Sequence, residues 1–133
     1  MSADMIPLLT KALGETVYMV VVSMIIATII GVPLGVLLHT TSKGQILESL
    51  AVNRIVGAIV NAVRSIPFII LLVAIIPFTR LVVGTSLGVP GAIVPLTVAA
   101  IPFVGRMVEQ SLAEVDGGLI EAAQSFGANT WQI

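Results

Sequence analysis

Three long runs without a charged side chain constrain this sequence more than any other feature. Thr16 to Ser42 is 27 residues, Ser65 to Thr79 is 15 and Leu81 to Gly105 is 25, all free of Asp, Glu, Lys and Arg. A helix crossing a bilayer needs ~20 apolar residues, so the first and third runs suffice alone. The second must recruit Ile55 to Val63 and take in Arg64. These limits place the spans at 16–39, 56–78 and 87–108 of an all-α integral membrane protein. The chain is 57% hydrophobic and only 10% charged, whereas a soluble domain carries about 25% charged residues.

A cleaved signal peptide has a basic start and an apolar core of roughly 7–15 residues. Here Asp4, Lys11 and Glu15 precede a far longer run, so the first span is expected to stay. Residues 1–12 are read as an N-terminal segment on the outer surface, before a membrane domain over 13–133. Ile6, Leu9 and Leu13 recur at helical spacing around Pro7, which suits an interfacial helix or a frayed terminus. Basic residues favour the cytoplasmic ends of spans. With the N-terminus outside, Lys43, Arg54, Arg64 and Arg106 face inward against Lys11 and Arg80 outside.

Ala27, Gly31 and Gly35 stand at i, i+4 and i+8, forming a shallow groove for a second helix. Pro33 lies between the glycines and is expected to kink the span. The plainer alternative is that glycine and proline are simply common in membrane helices. Arg64 would cost ~2.5–3.5 kcal/mol at mid-membrane, so it is placed near an interface or against protein. Pro67 removes a helical donor and leaves the Val63 carbonyl as a nearby acceptor. Arg64 either orders the inner mouth or snorkels as an anchor. Pro95 and Pro102 share one face of the third span, and their freed backbone groups require protein or water as partners. That span is expected to pack inside a bundle or to line a pathway.

Beyond it, Glu109, Glu114 and Asp116 mark the exit into water. Asp116 is a suitable N-cap for a helix starting near Gly118, and Gly127 a suitable residue after its C-terminus. Between them Leu119, Ala122, Ala123 and Phe126 form one apolar face on a rod ~13 Å long. A helix this short is marginal alone, and seating its face in a partner's groove would stabilise it. Resting on the bilayer is the alternative, but small Ala122 and Ala123 add little membrane affinity, and Glu121 suits anionic headgroups poorly.

No phosphate-binding loop is present, since neither Lys11 nor Lys43 follows a glycine. One histidine, His39, gives no metal-ligand spacing, and no nucleophile–base constellation can be assembled. There is no cysteine, and a net charge of −1 offers nothing to nucleic acid. No catalysis, cofactor or metal is expected, so energy must come from a partner subunit or an ion gradient. An ion-driven carrier or channel would use intramembrane Asp or Glu, which the three spans lack. A non-transporting membrane adaptor that recruits a soluble partner remains open.

Glu121-Ala122-Ala123, followed after three residues by Gly127, resembles the cytoplasmic EAA loop of bacterial ABC importer permeases. Arg64-Ser65-Ile66-Pro67-Phe68 is similar to a signature that opens a span in amino-acid permeases. Asn61 to Leu72, Ile76 to Arg80, Val83 to Ser86, Ala92 to Thr97 and Arg106 to Glu109 resemble the methionine importer permeases of that family. The resemblance implies a five-helix type I importer permease, of which three spans are visible here. The EAA loop would occupy 109–133, with Asp116, Gly118, Leu119, Glu121, Ala122, Ala123, Phe126 and Gly127 forming the coupling helix that meets the ATPase. Gly31, Pro33, Gly35, Arg64, Pro67, Pro95 and Pro102 would serve span packing or the pathway. Implied partners are a cytoplasmic ATPase dimer, a second permease copy, an external methionine-binding lipoprotein and the bilayer of a bacterial inner membrane. The family motif continues to a hydrophobic residue and a Leu-Pro pair, whereas this sequence stops at Ile133, so a fragment of a longer permease is expected. Methionine as cargo rests on this resemblance, with the balance between L and D forms open.

Overall fold

The first span belongs to one long rod. In the computed structural model, which describes residues 3–85 and 87–133, α1 runs Met5–Thr40 without interruption. Its 36 residues at 1.5 Å each give ~54 Å, well beyond the ~30 Å of hydrocarbon. Pro7 falls in the first turn, where its missing N–H would have had no partner anyway. The hydroxyls of Thr10 and Thr16 donate to the carbonyls of Ile6 and Ala12, both at 2.9 Å. Residues 5–12 of the expected outer-surface segment are thus the opening turns of α1 and no separate element; Met1 and Ser2 lie outside the described residues. Pro33 does not end the helix. It is exposed, pointing away from the bundle, and α1 continues past it.

A compact turn over 41–49 follows. The Leu47 N–H donates to the Thr40 carbonyl and the Ser49 N–H to that of Thr41, each at 3.0 Å. The Ser49 side chain then accepts from the Val52 N–H and caps α2, Leu50–Ser65.

Here the structure departs from the expected continuous span at 56–78. The chain breaks at Ile66 and Pro67, and α2 meets α3, Phe68–Ala74, at an angle of 105°. Proline drives the residue before it out of helical geometry, and Ile66 is extended, with φ −77° and ψ 126°. The Val63 carbonyl accepts from the Ile66 N–H at 3.2 Å. It is therefore already engaged by backbone, while Arg64 is exposed. Ile75 makes a second joint, after which α4 runs Ile76–Val83 with Pro77 in its first turn. Residues 77–80 thus open a helix instead of closing one. Gly84, at φ +81°, ends α4 in the left-handed region, where a residue without Cβ is least strained. Ser86, part of one of the motifs above, lies outside the described residues.

The third span is α5, Gly88–Ala113, which stays helical through both prolines. Among the described residues, α1 and α5 alone are long and apolar enough to cross a bilayer singly; α2 with α3 does so only as a bent pair. The two long helices form the core. A Cβ on Gly31 would sit 2.8 Å from the Val104 Cβ, and one on Gly35 would sit 2.5 Å from the Gly105 carbonyl oxygen. Four residues forward on α1 matches about four forward on α5, so the helices are parallel. Ser23, Ala27, Gly31, Gly35 and Leu38 are the buried stripe of α1. Pro95 and Pro102 are buried on α5, as are Val94, Thr97 and Val104. Lipid tails are as apolar as leucine, so association depends on close packing, which the two missing side chains allow.

Candidate functional site

Parallel packing brings the C-terminal ends of α1 and α5 to the same rim, and the polar residues after α5 collect there. α6 runs Gly117–Ser125. Asp116 starts it, its carboxylate accepting from the Gly118 N–H at 2.9 Å. That bond satisfies one of the donors a helix leaves open at its first turn. Gly127 stops it at φ +87°. The Ala128 N–H reaches the Ala123 carbonyl and the Gly127 N–H that of Gln124, both at 3.0 Å. This crossed pair is the Schellman arrangement, which closes the last carbonyls of the helix. Nine residues are thus fixed at both ends by local bonds.

The apolar side of this rod is uncovered. Leu119 is 65% exposed and Phe126 92%; Ala122 and Glu121 are exposed, and Ala123 is half-buried. Ile120, which spacing did not single out, is half-buried as well. It borders two clefts. One, of about 700 Å³, separates α6 from the turn after α1 and is bordered by His39, Gln45, Glu109 and Glu121. The other, of about 380 Å³, lies towards Val36, Leu112 and Trp131. Trp131 is itself 97% exposed, so this rim presents Leu119, Phe126 and Trp131 to whatever lies beyond it.

The remaining expected residues divide by position. Gly31 and Gly35 lie in the seam between α1 and α5, Pro95 and Pro102 are buried on α5, Pro67 forms the elbow, and Pro33 and Arg64 point outward. None of these seven reaches α6 or its clefts. No group of three His, Asp or Glu side chains suited to a metal is assembled among the described residues.

Sequence reasoning missed two polar ties beside the site. The Asn53 amide donates to the Leu38 carbonyl at 2.7 Å, holding α2 to the end of α1. Arg106 is the second tie. One of its terminal nitrogens donates to Glu109, one turn further along α5. The other donates to the Asn61 side-chain oxygen at 2.8 Å and the Gly57 carbonyl at 3.3 Å, both on α2. The signal was there: Asn53, Gly57 and Asn61 recur every four residues, one polar face on a helix. Its meaning depends on which helix lies opposite.

Residues 31–133 match the family described as binding-protein-dependent transport system inner membrane component. The D-methionine transport system permease protein MetI of Escherichia coli strain K12 is 54% identical over 133 residues, covering 100% of this chain and 61% of that protein. The probable D-methionine transport system permease protein MetI of Vibrio cholerae is 55% identical over 126 residues, covering 95% of this chain and 56% of that protein. The chain thus spans about three-fifths of the length of these relatives. A solved structure of inward facing conformations of the MetNI methionine ABC transporter superposes with a TM-score of 0.98 at 54% identity. That match covers 100% of this chain and 62% of the other.

Proposed function

Since the chain belongs to the binding-protein-dependent transport system inner membrane component family, we propose that it is part of the permease of an ATP-driven importer carrying methionine into the cell by alternating access. The observation that carries this reading is α6: a rod capped at both ends, joined to the end of α5 by a short turn, with Leu119 and Phe126 left open. A surface so prepared fits a groove on a separate subunit. In this reading the groove belongs to a cytoplasmic ATPase, two copies of which sit beneath two copies of the permease. The N-terminus of α1 then faces outward, where a methionine-binding lipoprotein delivers cargo, and the rim with α6 faces the cytoplasm.

ATP binding draws the ATPases together and carries both α6 rods with them. Leu119, Ala122, Ala123 and Phe126 form the contact, while Asp116, Gly118 and Gly127 keep the rod from unwinding under load and Glu121 meets the partner's polar margin. The α1–α5 seam, built on Gly31 and Gly35, moves as a unit together with Pro95 and Pro102, which are buried on α5. Pro33, Arg64 and Pro67 belong to the moving frame around it, Pro67 by setting the elbow.

Ala122→Trp in the full-length permease tests this. The added ring would hold α6 off its groove, so ATP hydrolysis should continue while methionine uptake falls towards background. Uptake per ATP equal to wild type would refute the assignment.

A further inference from the structure

α2 is tied to both long helices at the rim, and one residue carries the tie to α5. The Arg106 side chain is only 18% exposed, whereas Lys43, Arg54 and Arg64 are exposed. An arginine serving as an anchor sends its charged end to water or headgroups. Arg106 instead spends its planar fork on two helices at once, a geometry a lysine cannot reproduce. Its bonds to Asn61 and Gly57 cross 45 and 49 residues of sequence. The fork lies directly against the α2 backbone: a Cβ at Gly57 would sit 3.5 Å from the guanidinium nitrogen, in ordinary contact. Its other bond goes to Glu109, which borders the cleft facing α6.

These contacts form a line from the end of α5, which leads into α6 through residues 114–116, through Arg106 to Asn61 on α2, and along α2 to the elbow at Ile66 and Pro67. The geometry points to Arg106 as a positioning residue that makes α2 follow the end of α5, so that movement at α6 reaches the elbow and α3. Glu109 orients the fork and Asn61 receives it. Arg106 touches no cargo in this role and acts through the helices it joins. The inference rests on the importer reading above and adds the route by which the motion spreads.

The test uses the full-length permease assembled with its ATPase in proteoliposomes. Two quantities are read: methionine taken up per ATP hydrolysed, and the distance between spin labels at exposed Ile59 on α2 and Met107 on α5. In wild type, the label distance should stay constant with and without ATP. Arg106→Gln removes the charge-assisted bonds, each worth roughly tenfold in an equilibrium. It should lower uptake per ATP about tenfold and broaden the label distance, with hydrolysis maintained. Arg106→Lys should fall between the two. Asn61→Ala cuts only the α2 end and decides the matter if Arg106→Gln fails to assemble. Unchanged coupling and label distance in these variants would overturn the role. So would a proportional loss of uptake and hydrolysis, as expected of a residue needed only for folding. If wild type moved no methionine while the labels still separated in Arg106→Gln, the importer reading would fall and the tie between α2 and α5 would stand.

Discussion

The seam between α1 and α5 and the exposed side of α6 solve opposite problems. In the seam, contact is achieved by omitting atoms: Gly31 and Gly35 bring α5 so close that a methyl group on either would collide. On α6, Leu119 and Phe126 present large side chains that stay mostly uncovered. One surface is closed within the chain and the other lies open. A membrane helix gains little from being apolar, because lipid is equally apolar, and must be shaped to its neighbour. A helix in water gains from any apolar cover, so it can keep its contact for a partner.

The largest effect should come from Gly35→Leu. Its Cβ would lie against the Gly105 carbonyl and the Val108 side chain, and backbone cannot step aside as a rotamer can. The cost should reach or exceed the upper end of the ~1–3 kcal/mol usual for overpacking. Thermal unfolding of the full-length permease in detergent measures it, and an unchanged midpoint would remove the seam from its central place. Gly31→Ala should cost less, since it meets mainly the Val104 side chain.

Phe126→Ala sharpens the contrast from the other side. At 92% exposed, the ring should be worth less than about 0.5 kcal/mol to folding. Affinity for the ATPase should nevertheless drop by about 2 kcal/mol, roughly 30-fold, as for a buried aromatic anchor. Calorimetry or co-purification reads the affinity, and equal binding by the variant would leave the exposed face without a purpose. The smallest change is expected for Asp116→Ala, which removes an N-cap worth about 1 kcal/mol. Faster amide hydrogen exchange confined to 117–125 is the expected result; exchange as slow as wild type would mean that the Asp116 cap does not hold the rod.

Much of this was legible in the sequence because it depends on local chemistry. Spacing identified Gly31 and Gly35 as a stripe, and Asp116 and Gly127 marked the limits of α6 within a residue. The elbow was not legible in hydropathy. Apolar content runs unbroken from Ile66 to Ile76, and only Pro67, through its effect on Ile66, turns the chain. Arg106 was hidden for a different reason: its partners lie 45 and 49 residues away, and nothing local records that approach. Ile120 was passed over because the spacing of Leu119, Ala122, Ala123 and Phe126 describes one side of the helix, and the clefts on the other involve the turn after α1.

The shared direction of α1 and α5 has an electrical consequence. Their peptide dipoles reinforce each other, placing about half an elementary negative charge at each C-terminal end. The rim therefore attracts cations before any carboxylate is counted. His39 sits in the last turn of α1, Lys43 in the turn after it, and Arg106 within two turns of the end of α5. Two opposed rods would show no such polarity, and those side chains would have no common field to settle.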